Sequence, residues 1–527
     1  MSARDTAWTG TGTLLRAALR RDRVMAAVWV YALTASVAGT AVSLRRLYPT
    51  PAARASFART VATDGTLRAL YGPVLDPATT GGLTAWRMGS LGAALAGLMG
   101  VLIVVRHTRD EEESGRLELL AAGAVGRYAP LTAALLAGCA AAGALAVAVF
   151  AALVALGQGA AGSLALGGAL GGAAVMFAAV AAVAAQLARG GRLARGVGGA
   201  VLGAAFLLRV AGDARGDALG WWSPLGWTAY ARPFAAERWW LFAAMAAFAG
   251  VLTAVAFRLA ARRDLGAGLL GDRPGAPVAG RWLRGPLGLA WRLHRGALAG
   301  WTVAFAVTGA LAGGAASGAA GLIEGNARVG DLIRALGGTR RLDDAYLSAM
   351  TGLLGLVAAV QAVQAVLRIR AEETSGRAEP VLAGAVGRVR WALSHLAFAM
   401  AGPAVALAVG GVATGLAYGS GVPRLLAAAL AEVPAVWVAG AVAALLAGAV
   451  PRAAQAAWAV PAGALLLGQL GPVLGAPRWA MDLSPFTHLP RLPSPVPVPP
   501  APYLWLTLAS LALTAASLTA LRRRDVF

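Results

Sequence analysis

The sequence predicts an all-α polytopic membrane protein of about twelve transmembrane helices, arranged as two parallel six-helix repeats with both termini in the cytoplasm. Three observations lead to this fold class. The chain of 527 residues is 58% hydrophobic and only 13% charged, whereas soluble domains carry about 25% charged residues. Apolar runs long enough to cross a bilayer recur along the whole chain. Landmarks of the first half also return in the second half at one constant spacing.

The apolar runs define the predicted spans. A hydrocarbon core about 30 Å thick needs about 20 residues of helix. The first run follows Arg20, Arg21 and Arg23, as in a signal peptide, but it is longer than a signal h-region and lacks a clear small-residue cleavage site. We therefore interpret it as a retained first helix. The predicted helices cover residues 24–44, 86–105, 129–156, 163–187, 196–212, 239–258, 297–321, 348–367, 391–417, 424–450, 457–474 and 501–521.

The distribution of arginine predicts the orientation. Positive residues concentrate in short cytoplasmic loops. If six helices precede Asp264, five groups of arginines lie on the same side of the membrane. These groups are at residues 20–23, 106–127, 189–195, 258–263 and 522–524. We therefore expect both termini in the cytoplasm and the chain in the bacterial plasma membrane. The arginines between residues 45 and 59 oppose this assignment, but they lie in a longer segment, where the rule is weak.

Composition argues against several functional classes. A net charge of +22 would point to nucleic acid in a soluble protein, but here arginine and tryptophan gather at helix ends, as in a positive-inside bias with aromatic belts. We therefore predict no nucleic-acid partner. The chain has no lysine for a P-loop, and its His residues and single Cys show no metal-ligand spacing. We predict a protein that is not an enzyme and binds no metal or cofactor itself.

An internal duplication divides the chain. The sequence EEESGRLE at 111–118 returns as EETSGRAE at 372–379, 261 residues later, and GAVGR at 123–127 returns at 384–388 with the same offset. Two Ser-Pro pairs, at 223–224 and 484–485, and two Arg-Arg-Asp triplets keep this spacing. An even number of helices per half gives both halves one orientation. The predicted organisation is a first repeat at 1–264, a Gly/Pro-rich cytoplasmic linker at 265–281 and a second repeat at 282–527.

The repeated loop after the second helix of each half is the main candidate site. We predict a short surface helix in which Glu112 pairs with Arg116 at i,i+4, as Glu373 does with Arg377 in the second copy. Thr108 and Glu111 would form a capping box in the first half only. One interpretation is a solvated loop that only positions two membrane helices. The other is a helix that docks on a cytoplasmic partner, which better explains why both copies keep the same residues. The candidate contact residues are Glu111, Glu112, Gly115, Arg116, Glu118 and Arg127, with Glu372, Glu373, Gly376, Arg377, Glu379 and Arg388 in the second copy.

These loops carry a family resemblance, together with SPLGW at 223–227, RPF at 232–234, RWW at 238–240 and the RRD triplet at 262–264. The arrangement resembles the permease subunits of type-2 ATP-binding-cassette (ABC) exporters in their fused, double-length form. It looks especially like permeases linked to tetronasin and related antibiotic or multidrug efflux. The likeness extends over essentially the whole chain.

The resemblance implies how such a protein works. Each repeated loop would be a coupling helix that contacts a separate ATPase subunit, so that two ATPase copies, with ATP and Mg, would drive export of a hydrophobic or amphipathic compound. An amphipathic helix would lie along the lipid interface before the first span, where Leu15, Arg16, Leu19 and Arg20 alternate as required. The segment 282–294 would be its weaker counterpart.

Polar residues within predicted spans are candidates for a substrate path. Glu432 lies two residues before Pro434, and a charge at bilayer depth costs about 2.5–3.5 kcal/mol on insertion scales. It therefore either faces a substrate or proton pathway, or lies near the outer interface. Gln361 and Gln364 either line a path or bond to neighbouring helices.

A second hypothesis is a proton-coupled secondary drug transporter with two six-helix repeats, of the major-facilitator kind. That superfamily also has a charged Gly-Arg loop between its second and third helices. Its loop typically contains Asp-Arg and basic residues, whereas both loops here carry paired Glu residues. Dependence of transport on ATP or on a proton gradient separates the two hypotheses.

Overall fold

The computed structural model describes residues 7–63, 65–121, 123, 125–216, 218–264, 266–269, 278, 280–324, 342–470, 477–490, 492–493 and 499–524. The chain divides into two compact units, Met1–Arg273 and Pro274–Phe527. The boundary between these units falls within the predicted linker at 265–281. Most of that linker, namely residues 265, 270–277 and 279, lies outside the described residues.

Every regular element among the described residues is helical, which confirms the predicted all-α fold. In the first unit these are α1 (Thr11–Leu47), α2 (Pro51–Thr63), α3 (Gly65–Tyr71), α4 (Thr80–Arg106), α5 (Arg109–Glu113), α6 (Arg116–Ala121), α7 (Ala129–Ala155), α8 (Ala160–Leu187), α9 (Gly191–Arg215), α10 (Pro224–Tyr230) and α11 (Trp240–Ala260). In the second they are α12 (Pro286–Glu324), α13 (Leu342–Thr374), α14 (Glu379–Leu382), α15 (Arg388–Tyr418), α16 (Val422–Ala431), α17 (Val433–Ala449), α18 (Ala459–Leu465), α19 (Arg478–Met481) and α20 (Ala501–Arg523).

Eleven helices in the described part of the chain are long and apolar enough to cross a membrane. They coincide with eleven of the predicted spans, and α16 and α17 together form one of them. The chain is therefore a multi-pass membrane protein. The orientation of its termini remains a prediction.

The predicted span at 457–474 differs from the other spans. Its described part is a three-ten helix at Pro451–Trp458, the short α18, and a π-helix at Leu466–Leu470. Pro461 has no N–H to donate to the carbonyl of Ala457, so one hydrogen bond of a regular α-helix is lost at this point. Residues 471–474 lie outside the described residues. The prediction of one regular helix over 457–470 is therefore wrong.

The first helix is longer than predicted. α1 runs without interruption over 37 residues, or about 55 Å at 1.5 Å per residue, which exceeds a hydrocarbon core of about 30 Å. The expected interfacial segment is thus the first third of α1 and not a separate helix. Within it Leu15 is half-buried, whereas Arg16, Leu19 and Arg20 are exposed. In the second unit Pro286 begins α12, a position that suits proline because the first helical N–H has no partner.

Small residues bring the helices into close contact. α8, the most enclosed span of the first unit, packs against α4, α7 and α11. In the second unit α12 packs along α15 through Gly309 and Gly313. A Cβ atom at Gly309 would lie 2.2 Å from the carbonyl oxygen of Gly410, and one at Gly313 would lie 2.1 Å from that of Thr414. These backbones approach as closely as they do because the residues between them have no side chain.

This contact gives a testable prediction. We expect Gly313→Ala to lower the stability of the protein by about 1–3 kcal/mol, because the added methyl group must push α12 and α15 apart. The matched control is Gly300→Ala on the same helix, where a Cβ atom meets nothing within 4 Å and alanine favours the helix. Thermal unfolding in detergent measures both variants. Equal unfolding temperatures for the two would contradict the packing described here.

Candidate functional site

Both repeated loops begin with the same turn. α5 ends at Glu113 and α13 ends at Thr374. Two residues after each end, Gly115 and Gly376 adopt φ of 70° and 69°. Each glycine N–H donates to a carbonyl oxygen three residues earlier, at 3.0 Å in both loops. The repeated sequence therefore produces a repeated backbone, because only glycine enters the left-handed region without steric cost.

The turn changes the expected ion pairs. Arg116 bonds to Glu111 at 2.8 Å and not to Glu112, while Arg377 bonds to Glu372 at 2.8 Å and not to Glu373. The predicted i,i+4 pairs are therefore wrong, because the helix stops at the glycine and does not continue to the arginine.

The predicted capping box is wrong as well. The Thr108 hydroxyl donates to the carbonyl oxygen of Val104, at 2.7 Å, and caps nothing. Because Val104 belongs to the last turn of α4, the side chain of Thr108 is directed back into the preceding helix. It is therefore not available to the free N–H groups at the start of α5.

Glu112 and Glu373 are instead buried at the centre of two equivalent charge clusters. In the first unit the Glu112 carboxylate bonds to Arg109 and to Arg263, both at 2.6 Å. In the second, Glu373 bonds to Arg370 and, at 2.7 Å, to Arg524. The Arg109 side chain is 0% exposed and that of Glu373 is 1% exposed. We call Arg109, Glu111, Glu112, Arg116 and Arg263 the first charge cluster, and Arg370, Glu372, Glu373, Arg377 and Arg524 the second.

The arginines of these clusters also bind the free carbonyl groups at helix ends. Arg109 donates to the carbonyl oxygen of Ala185 near the end of α8, and Arg524 donates to that of Ala447 near the end of α17, at 3.0 Å. Arg127, which lies outside the cluster, donates to three carbonyl groups at the end of α11 and just after it, including that of Ala260 at 3.0 Å. The last carbonyl groups of a helix have no partner within it and favour a cation. Each cluster therefore holds together the ends of several helices.

The second unit repeats this arrangement, because Arg388 donates to the carbonyl oxygen of Arg524 at 2.7 Å. The first unit has further ties. Arg21 of α1 pairs with Glu111, and Asp22 pairs with Arg106 at 3.1 Å. Asp110 pairs with Arg195 of α9 at 2.7 Å. α1 and α9 thus join the first cluster through residues that have no counterpart at the 261-residue offset.

The surface of each loop is formed by a different set of residues. The side chains of Arg116 and Arg377 are 52% and 57% exposed. Glu118 and Glu379 are exposed and form no ion pair with a described residue. These four predicted contact residues therefore have side chains that are open to solvent. Glu112 and Glu373 are enclosed within the unit that carries them and hold the loop in place.

Sequence reasoning missed part of both clusters. Arg109 and Arg370 were not among the predicted site residues, and Arg263 and Arg524 were seen only as parts of a repeated triplet. The constant offset could have identified them. Arg109 and Arg370, Glu112 and Glu373, and Arg263 and Arg524 are each 261 residues apart. Residues that recur together at one spacing are candidates for one shared contact.

The glycine turn gives a second prediction. We expect Gly115→Ala and Gly376→Ala each to destabilise the protein by about 1–2 kcal/mol, because alanine is strained at positive φ. A Cβ atom at either position meets nothing within 4 Å, so conformational strain alone is tested. Gly143→Ala, inside α7 and equally open, should have the opposite sign. Thermal unfolding of the three variants checks the prediction, and destabilisation by Gly143→Ala as large as by the others would contradict it.

The candidate path residues lie in the second unit. Glu432 is buried between α16 and α17, where the helix is interrupted because Pro434 has no N–H. A Cβ atom at Gly355 would lie 2.6 Å from a carboxylate oxygen of Glu432. Gln361 is buried, and neither polar atom of its amide bonds to a described residue. Gln364 accepts a hydrogen bond from the indole N–H of Trp301 on α12, at 2.8 Å, so it joins neighbouring helices.

Two compact units of long apolar helices, each with a buried charge cluster in its repeated loop, define a polytopic membrane protein. Comparison with known proteins agrees with this class. The chain is 44% identical over 531 residues to the multidrug efflux system permease protein Rv1217c of Mycobacterium tuberculosis. This alignment covers 99% of this chain and 96% of that protein. Residues 283–522 match the family described as the C-terminal domain of the multidrug efflux system permease Rv1217c. The chain therefore belongs to the Rv1217c-like family of multidrug efflux permeases, which are transport proteins of the cell membrane.

Proposed function

We propose that this chain is the permease subunit of a type-2 ABC exporter, with its ATP and Mg bound by a separate ATPase. The observation that carries the proposal is the repeated loop. Each unit presents the same Arg-x-Glu surface beyond the same glycine turn, at Arg116 and Glu118 and again at Arg377 and Glu379. Two equivalent surfaces suit two copies of one partner. With both loops and both termini in the cytoplasm, that partner is a cytoplasmic ATPase dimer.

The buried clusters support a force-transmitting role for these surfaces. A loop that is anchored to several helix ends by charged hydrogen bonds is preorganised, so little conformational freedom is lost when a partner binds. Movement of such a loop also moves the helices to which it is tied. In the first unit those are α8 through Arg109, α11 through Arg127 and α9 through Asp110.

Reconstituted transport distinguishes this proposal from the secondary-transporter hypothesis. The chain and its candidate ATPase are placed in vesicles, and efflux of an amphipathic dye is followed with ATP and Mg, without ATP, and with a protonophore. We expect transport to require ATP and to survive the protonophore. An ATPase variant that cannot hydrolyse ATP is the control. If transport does not require ATP and stops when the protonophore is added, the ABC proposal is wrong and the proton-coupled hypothesis is supported.

For the substrate path, we propose that a hydrophobic or amphipathic compound passes Glu432 and Gln361. Both side chains are buried, and neither forms an ion pair or hydrogen bond that the described residues supply. Polar groups without partners inside a membrane protein usually face a substrate or a cavity.

A third prediction follows from this path. We expect Glu432→Gln to reduce dye efflux several-fold while binding of the ATPase is retained, because only the path is changed. Asp482→Asn, at an exposed acid of the same unit, is the control and should transport normally. If the Glu432→Gln variant transports the dye at the normal rate, Glu432 is not part of the substrate path.

A further inference from the structure

A cavity of about 290 Å³ lies at the end of the first unit opposite to the first charge cluster. It is lined by residues 71–75, the start of α4, the end of α9 and the segment between residues 221 and 238. Four aromatic residues line it: Tyr71, Trp86, Trp221 and Tyr230. Trp221 and Tyr230 stack with their ring centroids 4.5 Å apart. We call this cavity the aromatic pocket.

Backbone strain is concentrated in the segment 232–236, of which Arg232 and Pro233 line the aromatic pocket. Arg232, Phe234 and Ala236 have φ of 54°, 64° and 59°, and each such residue costs about 1–3 kcal/mol. The ring of Phe234 fixes the segment by wedging against two glycines. A Cβ atom at Gly81 or Gly162 would lie 2.5 Å or 2.2 Å from that ring. Strain of this kind persists where the surrounding structure enforces it, and it clusters at binding sites.

The charges of the aromatic pocket are unbalanced. Its one carboxylate, Asp213, is already paired with the buried Arg209 at 2.9 Å. Arg232 and Arg238 also line the pocket, and their side chains form no ion pair or hydrogen bond with a described residue. The cavity therefore combines apolar aromatic walls with two guanidinium groups that are free to bind an anion.

The second repeat lacks these residues. At the 261-residue offset, Arg232 and Arg238 correspond to Pro493 and Pro499, and Asp213 corresponds to Leu474. These arginines are therefore not part of the contacts that the two repeats share, unlike the arginines of the charge clusters.

We propose that the aromatic pocket binds the carboxylate or phosphate end of an amphipathic molecule. Guanidinium groups bind carboxylate and phosphate oxygens in pairs of parallel hydrogen bonds, and aromatic walls accept the adjoining apolar part. The volume is at the lower end of the range for ligand pockets, about 300–1,000 Å³, so the pocket takes one end of such a molecule. This inference goes beyond the proposed function and does not depend on the ATPase.

Binding to the full-length protein in nanodiscs of phosphatidylcholine tests the proposal. The probe is radiolabelled dodecyl phosphate, corrected for partition into empty nanodiscs, with dodecanoate, dodecanol and dodecyltrimethylammonium as competitors. The variant is Arg232→Gly/Arg238→Gln, in which glycine removes the charge and also accepts φ of 54°. Arg45→Gln, at an exposed arginine outside the pocket, is the matched control.

We expect the two anions to compete at least about tenfold better than the alcohol or the cation, and the double variant to lose about tenfold in affinity, as loss of charge-assisted hydrogen bonds implies. Arg45→Gln should bind normally. Phosphatidylglycerol in the nanodiscs then identifies the natural source. Competition by this lipid assigns the pocket to an anionic lipid headgroup, and lack of competition assigns it to a free amphiphile. Unchanged affinity in a monodisperse double variant, or preference for the cation, would overturn the proposal.

Discussion

Glu112→Gln should destabilise the protein by about 3–5 kcal/mol, the usual cost of removing one partner from a buried ion pair. The substitution keeps the shape of the side chain but leaves Arg109, which is 0% exposed, and Arg263 without a counter-ion. Glu373→Gln should have a similar effect in the second unit, where Arg370 and Arg524 lose theirs. Thermal unfolding in detergent, followed by size-exclusion chromatography, measures both variants. For a domain of this size the expected decrease in unfolding temperature is about 10 °C.

The controls for this prediction lie in the same loops. Glu118→Gln and Glu379→Gln change exposed carboxylates, so each should shift stability by no more than about 0.5 kcal/mol. If Glu112→Gln unfolds at the same temperature as Glu118→Gln, the first charge cluster does not hold the helix ends together. The comparison also has a practical consequence. A charge reversal at Glu112 would abolish binding of the ATPase because the loop unfolds. Loss of binding in that variant would therefore not show where the ATPase binds.

The spans were predictable from the sequence because the bilayer fixes their length. A run of about 20 apolar residues has few alternatives to a membrane-crossing helix, and eleven such helices are present in the described residues. The irregular segment Pro451–Leu470 was not predictable in this way. Residues 459–467 form an apolar run that continues through Pro461, so the run was assigned to one span although this proline marks a change of helix type.

The location of the loops was predictable, but the roles of their residues were not. In the sequence, Glu111 and Glu112 are adjacent acids with the same neighbours. Their partners differ because Arg263, 151 residues away, bonds to Glu112 alone. Only the fold brings the end of α11 next to the loop, so no local pattern could show which of the two acids binds this arginine. The 261-residue offset contains that information indirectly, because all three partners recur with it.

The final prediction concerns the exposed surface of the two loops. If the loops dock on an ATPase dimer, Glu118→Arg/Glu379→Arg should release the ATPase while the permease stays folded. Both carboxylates are exposed, so their reversal costs the fold little. Like charges placed across an interface cost several kcal/mol, and ATP-dependent efflux should therefore fall by at least about tenfold. Co-purification in detergent measures the retained ATPase, with Asp482→Arg as a control at an exposed acid outside the loops. A folded double variant that still holds the ATPase and still transports would show that the Arg-x-Glu surfaces are not the docking sites.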